Sequence, residues 1–514
     1  MILKTIFLGL EAGGKSIVIL NLDDAERLGV LSLGRVTIRF DEVEKTAIVH
    51  TSSKLIDSGR IGVCKKVWSD LGLSEGSEVE VEAAPFPDSL YFIRNKLNGR
   101  KLAHDEIREI VEDTVDEKLS DVELSAFVTA LHSFGLDLDE ATYLSLAMIE
   151  TGSTMKLDGG PIVDKHSIGG VPGDKTTLLV VPLVAAAGLL IPKSSSRAIT
   201  SPAGTADRAE VLMPVSLDLE EMRDVVERTG GCLVWGGSVH LAPADDIFVR
   251  VEYPLSIDPL LLPSIMSKKR AVGADLLVVD IPTGRGAKVK TIGEADLLAK
   301  DFMEIGSRLG IRVRCAVTYG EQPIGSAIGP ALEAKEALEA LMNRGSVVDL
   351  VDKATAIAGM ILEMAGKTDG KAMAIELLRS GRAEEKMREI IAAQGGDPDI
   401  APEDIAVGDE RFTVRSDRGG SVLWINNSSV AEVAKFAGCP KDAGAGILLH
   451  RNIGDVVGEG EPLFTIIAER GSNLRRAQER LERVKVMGVG DRMEMLIHEV
   501  KERPVVKRSF TLDR

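Results

Sequence analysis

The densest concentration of chemistry-bearing side chains is Asp164-Lys-His-Ser-Ile-Gly-Gly-Val-Pro-Gly-Asp-Lys-Thr-Thr177, which runs into an apolar stretch from Leu178. A glycine-rich turn opening onto a helix leaves backbone N–H groups unpaired at the positive end of the helix dipole, and that combination receives an anion. Lys165, Ser167 and Thr177 add one cation and two hydroxyls, which suits phosphate. The same segment also fits a plain strand-to-helix connection whose glycines only permit tight packing. A triphosphatase loop fits poorly, because Asp174 stands where G-x-x-x-x-G-K-[ST] requires a glycine before Lys175.

A second polar run follows at Lys193-Ser-Ser-Ser-Arg-Ala-Ile-Thr-Ser-Pro-Ala-Gly-Thr-Ala-Asp-Arg-Ala-Glu210. It is too polar for a core connection, carries several hydroxyls and two early cations, and has a Gly-Thr step that lets backbone approach a ligand. Two such loops separated by one helix are what an α/β unit offers at the carboxyl ends of its strands; a solvated serine-rich loop is the alternative. A third cluster joins Arg250-Val-Glu-Tyr-Pro-Leu-Ser-Ile-Asp258 to Ser264-Ile-Met-Ser-Lys-Lys269, where Ser264 and Lys268 share one helical face. A second glycine-rich turn, Ile281-Pro-Thr-Gly-Arg-Gly-Ala-Lys288, offers Arg285 and Lys288 either to a phosphate or to solvent. A lone histidine in a glycine-rich motif, as His166 is, is commonly a hydrogen-bonded structural group.

The elements that must position these residues change along the chain. Residues 1–84 alternate in short runs such as Val36–Phe40 and Val79–Glu82, predicting a β-rich unit that ends at Ala84-Pro-Phe-Pro87. Helical spacing over 105–112, 120–131 and 139–149, each opening near Asp or Ser, predicts a small helical unit. From Pro161 to about Ile400, strands such as Leu276–Asp280 and Arg312–Val317 alternate with helices, as over 294–309 and 331–342. The last hundred residues return to short strands, with an expected hairpin over 454–464 and a helix over 474–486.

With 514 residues the chain has room for about three domains. A formal charge of −17 opposes non-specific attraction to nucleic acid or anionic membrane. Cys64, Cys232, Cys315 and Cys439 are far apart, without a C-x-x-C pair, so neither a zinc knuckle nor a disulfide framework is indicated. The seven histidines are scattered, and no His/carboxylate cluster has metal-ligand spacing. The N-terminus makes a poor signal peptide. The longest apolar run, Leu178–Ile191, holds Pro182 and Gly188 and is too short to span a bilayer. The expectation is a cytoplasmic protein.

Three ordered motifs then become specific: Lys165-His-Ser-x-Gly-Gly-Val, Ser196-Arg-Ala-Ile-x-x-x-Ala-Gly-Thr-x-Asp-x-x-Glu210 and Ser264-Ile-Met-Ser-Lys-Lys269. Together they resemble the thymidine/pyrimidine-nucleoside phosphorylase family from about Asp88 to near the C-terminus. The β-rich extension, with Gly-Gly-Val-Pro-Gly-Asp-Lys-Thr, is similar to the archaeal branch that uses phosphate to split AMP into adenine and ribose 1,5-bisphosphate, with CMP and UMP as further candidates. The alternative is phosphorolysis of pyrimidine nucleosides. Ile168 in place of Thr, and Pro172 inserted before Gly173, depart from the nucleoside pattern.

The resemblance implies an α/β fold with a helical subdomain, a nucleoside-phosphorylase-like core carrying an N-terminal β-rich domain and a C-terminal α+β domain. The units would be 1–84, 85–160 with 236–275 (helical), 161–235 with 276–400 (α/β), and 401–514. It implies phosphate on Lys165, Ser167, Thr177, Ser195 and Thr205. Nucleotide contacts would come from Gly170, Ser196, Arg197, Ala198, Ile199, Thr200, Ser201, Thr205, Ser264 and Lys288, and base-side contacts from His166, Arg250 and Lys268. Asp258 would be the general acid, although a helix cap before Pro259 is the competing role. No metal or organic cofactor is implied, only phosphate as co-substrate, and a homodimer or larger homo-oligomer is expected.

The chemistry matches the residue types. Phosphorolysis breaks a C–N bond through a sugar of oxocarbenium character while negative charge builds on the departing base. A phosphate fixed beneath C1′ is nucleophile and electrostatic stabiliser at once. Protonating an adenine ring nitrogen requires an acid that keeps its proton near neutral pH, through burial or a neighbouring carboxylate.

Overall fold

The computed structural model describes residues 1–198, 201–345 and 347–491. Ile199 and Thr200 therefore lie outside the described residues, as does the end of the C-terminal unit, 492–514.

Residues 2–83 close into a six-stranded barrel in the order Ile2–Phe7, Arg60–Val63, Ile17–Asn21, Val43–Ser52, Arg35–Phe40 and Glu78–Ala83, the last pairing back onto the first. Alternation fills it: Leu3, Val18, Leu20, Val36, Ile38, Val79 and Val81 point inward. The barrel is tied to the helical unit by buried Arg35, which donates to the Lys118 carbonyl at 2.6 Å and pairs with Glu123, and by Ser16 donating to Glu117 at 2.5 Å.

The helical unit contains Ser89–Leu97, His104–Val115, Asp121–Phe134 and Leu138–Glu150, joined later in the chain by Pro243–Leu255. Its starts are chemically marked: Ser120 with Glu123, and Asp137 with Glu140, form reciprocal caps. Residues from both stretches share one core, in which the Phe127 and Phe248 rings lie 5.8 Å apart.

In the α/β unit, parallel strands run in the order Arg312–Tyr319, Leu276–Thr283, Val163–Ser167. An isolated bridge between Ile162 and Leu190 leads on to the parallel pair Ile191–Ser195 and Gly231–Trp235. Leu276–Thr283 is buried along its whole length, as a central parallel strand should be. The helix Thr176–Ala186 is apolar all round and sunk between Val348–Met364 and Arg382–Ala393. It is therefore a fixed post, and the turn at its N-terminus inherits that rigidity.

The C-terminal strands Glu410–Arg415, Pro462–Ala468 and Gly446–Leu449 take up Ala327–Ile328 from the middle of the chain. The hairpin expected over 454–464 does not form. Val456–Val457 pairs instead with Gly420–Ser421, while Pro462–Ala468 pairs with Glu410–Arg415, because the Gly458–Gly460 turn sends the two segments to different sheets. The expected helix over 474–486 occupies Gly471–Leu481.

Candidate active site

The turns that follow Val163–Ser167, Ile191–Ser195 and Leu276–Thr283 all leave the carboxyl ends of parallel strands, so the polar motifs converge on one edge of the fold. In the first turn Gly169, Gly170 and Gly173 have φ of +80°, +92° and +76°, and a β-carbon on Gly173 would stand 2.6 Å from the Ile324 carbonyl. Positive φ disfavours side chains at all three, and close contacts exclude them as well at Gly170 and Gly173.

Lys165 and Thr177 come together as expected: the Lys165 ammonium donates to the Thr177 hydroxyl at 3.1 Å, and both side chains are buried. Among the described residues no carboxylate lies within ion-pair distance of Lys165. Burial pushes its ammonium below the ordinary lysine range, against the more distant pull of Asp174 and Asp280. Around it sit more cations. Lys269 donates to Asp164 at 2.6 Å, and Lys193 stands 3.7 Å from the same carboxylate, with its ammonium depressed well below normal by burial. One carboxylate thus faces two lysines. His166 shares this field: burial, then Lys269, Lys193 and Lys165, push its imidazolium well below the ordinary range, so it is a neutral hydrogen-bonding group.

The loops are fixed by pins whose partners carry no mark in the sequence. Lys175 is enclosed by the carbonyls of Ile324 (2.9 Å) and Ala327 (3.0 Å) and by Glu336. Lys353 bridges Asp280 (2.8 Å) and Asp174 (3.4 Å); burial opposes its charge, and the two aspartates outweigh burial. Arg208 ties the two anion-ready loops to each other: it donates to the Asp174 carbonyl at 2.7 Å and the Ala203 carbonyl at 2.8 Å, and pairs with buried Glu333 at 2.5 Å. Asp174, Lys175 and Arg208 stand inside the motifs singled out above, but Glu333, Glu336 and Lys353 do not. Those three come from helices more than a hundred residues later, beyond the reach of spacing arguments.

The second loop is stapled by Asp207, which accepts the N–H groups of Ala198 (2.7 Å) and Gly204 (2.8 Å). Gly204 lies flat against the backbone of Ser196, Arg197 and Ala198. Arg197 pairs with Glu210 and stacks 5.1 Å over Trp235, so it shapes the loop as a packed cation. Ser195 donates weakly to the Val234 carbonyl at 3.4 Å, and Ser201 to the Ala203 carbonyl at 3.0 Å. Thr205 opens the short helix Thr205–Glu210.

On the opposite wall, Gly170 packs so closely on the second glycine-rich turn that a β-carbon would stand 2.8 Å from the Lys288 nitrogen. Lys288 donates to Asp258 at 2.8 Å, and both side chains are nearly half exposed. Gly170, Lys288 and Asp258 are therefore brought together. Of the two expected settings for Asp258, burial or a neighbouring carboxylate, burial is not found: Asp258 sits on the exposed link between Pro243–Leu255 and Leu261–Ala271. Nor does it act as a helix cap by side-chain hydrogen bond; Leu260 is the N-cap residue. The buried carboxyl is its neighbour Glu252, which accepts the Leu260 N–H at 3.2 Å and whose acid is pushed up to about 8, first by burial and then by Asp258. Burial is not visible in the sequence, so Glu252 gave no signal there.

Two base-side candidates, Arg250 and Lys268, already carry partners in the structure. Arg250 is exposed and donates to the Gly13 carbonyl of the barrel at 3.1 Å, which draws it toward that domain. Lys268 lies on the same helix as Ser264 but is paired with Asp245 at 2.6 Å; burial opposes its charge, and Asp245 and Asp246 together hold it above the usual range. Its ammonium is already matched.

Polar, glycine-rich turns at the strand ends of an α/β unit, beside a helical bundle, make this edge of the fold the candidate anion site. Comparison with known proteins is consistent with this. Residues 91–152 match the helical bundle domain and residues 159–384 the a/b domain of the glycosyl transferase family, and residues 423–486 match the pyrimidine nucleoside phosphorylase C-terminal domain. The chain is 48% identical to the AMP phosphorylase of Thermofilum pendens, covering 100% of both proteins. It is 50% identical to that of Pyrococcus furiosus, over 95% of this chain and 98% of that one. The crystal structure of anthranilate phosphoribosyltransferase from Thermus thermophilus shares the fold, with 21% identity and a TM-score of 0.51 over 59% of this chain and 98% of that one. The chain belongs to the AMP phosphorylases, within the thymidine/pyrimidine-nucleoside phosphorylase family.

Proposed function

We propose a division of labour between the two walls of this site for the reaction of its family, in which AMP and phosphate give adenine and ribose 1,5-bisphosphate. Inorganic phosphate occupies the first wall, on Lys165, Ser167 and Thr177, with Ser195 and Thr205 of the second loop completing the cradle. The observation that carries this reading is the buried Lys165 ammonium, whose hydrogen-bonding partner is the neutral Thr177 hydroxyl. A dianion supplies the charge that Lys165 lacks, in surroundings where such an interaction is strong.

The nucleotide lies across Gly170, the run 196–201, Thr205, Ser264 and Lys288, with C1′ above the phosphate. As the C1′–N bond breaks, its electron pair passes to the base, a phosphate oxygen bonds to C1′, and Asp258 gives its proton to an adenine ring nitrogen. Asp258 regains a proton from solvent, so neutral adenine leaves. His166, being neutral, orients a substrate oxygen by hydrogen bonding and adds no charge. The same ribose and 5′-phosphate contacts would accept CMP and UMP. Inorganic phosphate is the one co-reactant this scheme requires.

No described helix is long and apolar enough to cross a membrane. Free nucleotide and phosphate as substrates support a cytoplasmic setting. Exposed Tyr91, Leu97, Val122 and Phe134 on the neighbouring helices Ser89–Leu97 and Asp121–Phe134 support assembly of two or more copies. The test of the reaction is to offer AMP, CMP, uridine and thymidine with and without phosphate and to identify the sugar product. Phosphate-dependent ribose 1,5-bisphosphate from AMP supports the reading, and turnover confined to nucleosides rejects it.

A further inference from the structure

Lys288 and Asp258 are each assigned to substrate, yet in the structure they are bonded to each other at 2.8 Å. A carboxylate in contact with an ammonium is stabilised in its ionised form and is a poor proton donor. We propose that the Lys288–Asp258 ion pair is a latch opened by the substrate's own 5′-phosphate: a nucleotide draws Lys288 off Asp258 and so arms the acid, while a nucleoside leaves the pair closed. The inference rests on the assignment of Asp258 as the acid and deepens it into a basis for choosing nucleotides over nucleosides.

The geometry supports exchange of partners. Both side chains of the pair are nearly half exposed, so a dianion can reach Lys288 without disturbing the core. The Lys288 backbone is held against Gly170, at the edge of the phosphate-binding turn, while its ammonium at the end of a flexible stem is free to swing. Phosphate is the stronger competitor, because it carries nearly two charges and several acceptor oxygens where the carboxylate carries one charge.

Once Lys288 has left, Asp258 keeps no other ion-pair partner among the described residues. Glu252, on the preceding helix, is buried beside it and anchors the link through the Leu260 N–H. Asp258 also lines an open cleft of about 630 Å³ with Asp137, Asp139, Asp301 and Arg308, and that Arg308 is already paired with Asp139 at 2.6 Å. Asp137 there is paired with Lys101 and Asp139 with Arg308, so Lys288 is the cation that meets Asp258 directly among the described residues. Solvent, which reaches the half-exposed Asp258 directly, supplies its proton. The cycle balances: Asp258 gains one proton on opening, gives it to the base nitrogen, and returns as the carboxylate that re-pairs with Lys288 when the product leaves.

The experiment measures adenine release from AMP and from adenosine, at saturating phosphate, by the full chain and by its Lys288→Met and Lys288→Gln variants. Wild type is expected to prefer AMP strongly. An uncharged residue 288 is expected to lower kcat/KM for AMP and to raise it for adenosine about tenfold or more, since the ammonium that favours the ionised carboxylate is gone. The gain should disappear in Lys288→Met/Asp258→Asn, and Lys288→Arg should keep wild-type discrimination. Adenosine turnover that is unchanged or lower in both uncharged variants overturns the latch. Failure of the acid assignment itself shows separately, as an Asp258→Asn single variant with undiminished turnover of AMP.

Discussion

Replacing Lys165 with methionine separates function from stability in a direction that few buried-charge substitutions do. Lys165 is 2% exposed, and its ammonium donates to Thr177 at 3.1 Å. Removing a charge from a matched buried pair destabilises a fold, because its partner is left behind uncompensated. Lys165 has no such partner at ion-pair distance among the described residues, and burial already disfavours its charge. An ammonium held below its ordinary titration subtracts from folded-state stability wherever the unfolded chain carries the full charge, so an apolar side chain of similar length relieves that cost. Lys165→Met should therefore unfold at the same temperature as wild type or higher. Phosphate, by contrast, loses a hydrogen bond between charged groups, worth about 1.5–3 kcal/mol, so its apparent affinity should fall about 10- to 150-fold. The assay pairs thermal unfolding without ligand with the phosphate dependence of adenine release at saturating AMP. A phosphate KM within twofold of wild type in a well-folded variant refutes the cradle. A large loss of stability refutes the view of Lys165 as an unmatched charge.

Two other perturbations test the supports. Glu252 keeps its proton to about pH 8 in the folded chain, whereas an unfolded glutamate releases it near 4.5. The folded state therefore binds the extra proton, and the stability this contributes is present below pH 4.5 and lost as pH rises toward 8. Glu252→Gln should flatten that decline in denaturant titrations over this window, and an unaltered pH slope contradicts the burial of an acid there. Lys175→Met strands Glu336, which would keep only the N–H groups of Ser326 and Ala327 at 3.0 and 3.3 Å. The expected loss is about 3–5 kcal/mol by chemical denaturation, and a loss below about 1 kcal/mol would show that the enclosure does not pin the loop.

What could be read from the sequence was whatever is local. The alternation of Val36–Phe40 and the caps at Ser120 and Asp137 announced their elements because a strand or a helix end is decided within a few residues. The glycine-rich turn at 169–173 was legible for the same reason: positive φ is a demand on one residue at a time. Long-range pairing was not legible. Nothing near Gly454 reveals that the two halves of a turn enter different sheets, and nothing near Arg250 reveals a carbonyl contributed by Gly13. The charge states were hidden most deeply. Asp258 and Glu252 are both plain carboxylates in sequence, and only the packing of Pro243–Leu255 against its neighbours decides which one is buried.

The proposed reaction depends on Asp258 delivering a proton to the leaving base above a bound phosphate. Single-turnover adenine release from AMP by Asp258→Asn, alongside equilibrium binding of AMP to the same variant, tests this most directly. The expected result is a rate about 10²–10⁴-fold below wild type with AMP affinity changed little. A rate within a few-fold of wild type would contradict it, as would a loss explained wholly by weaker AMP binding.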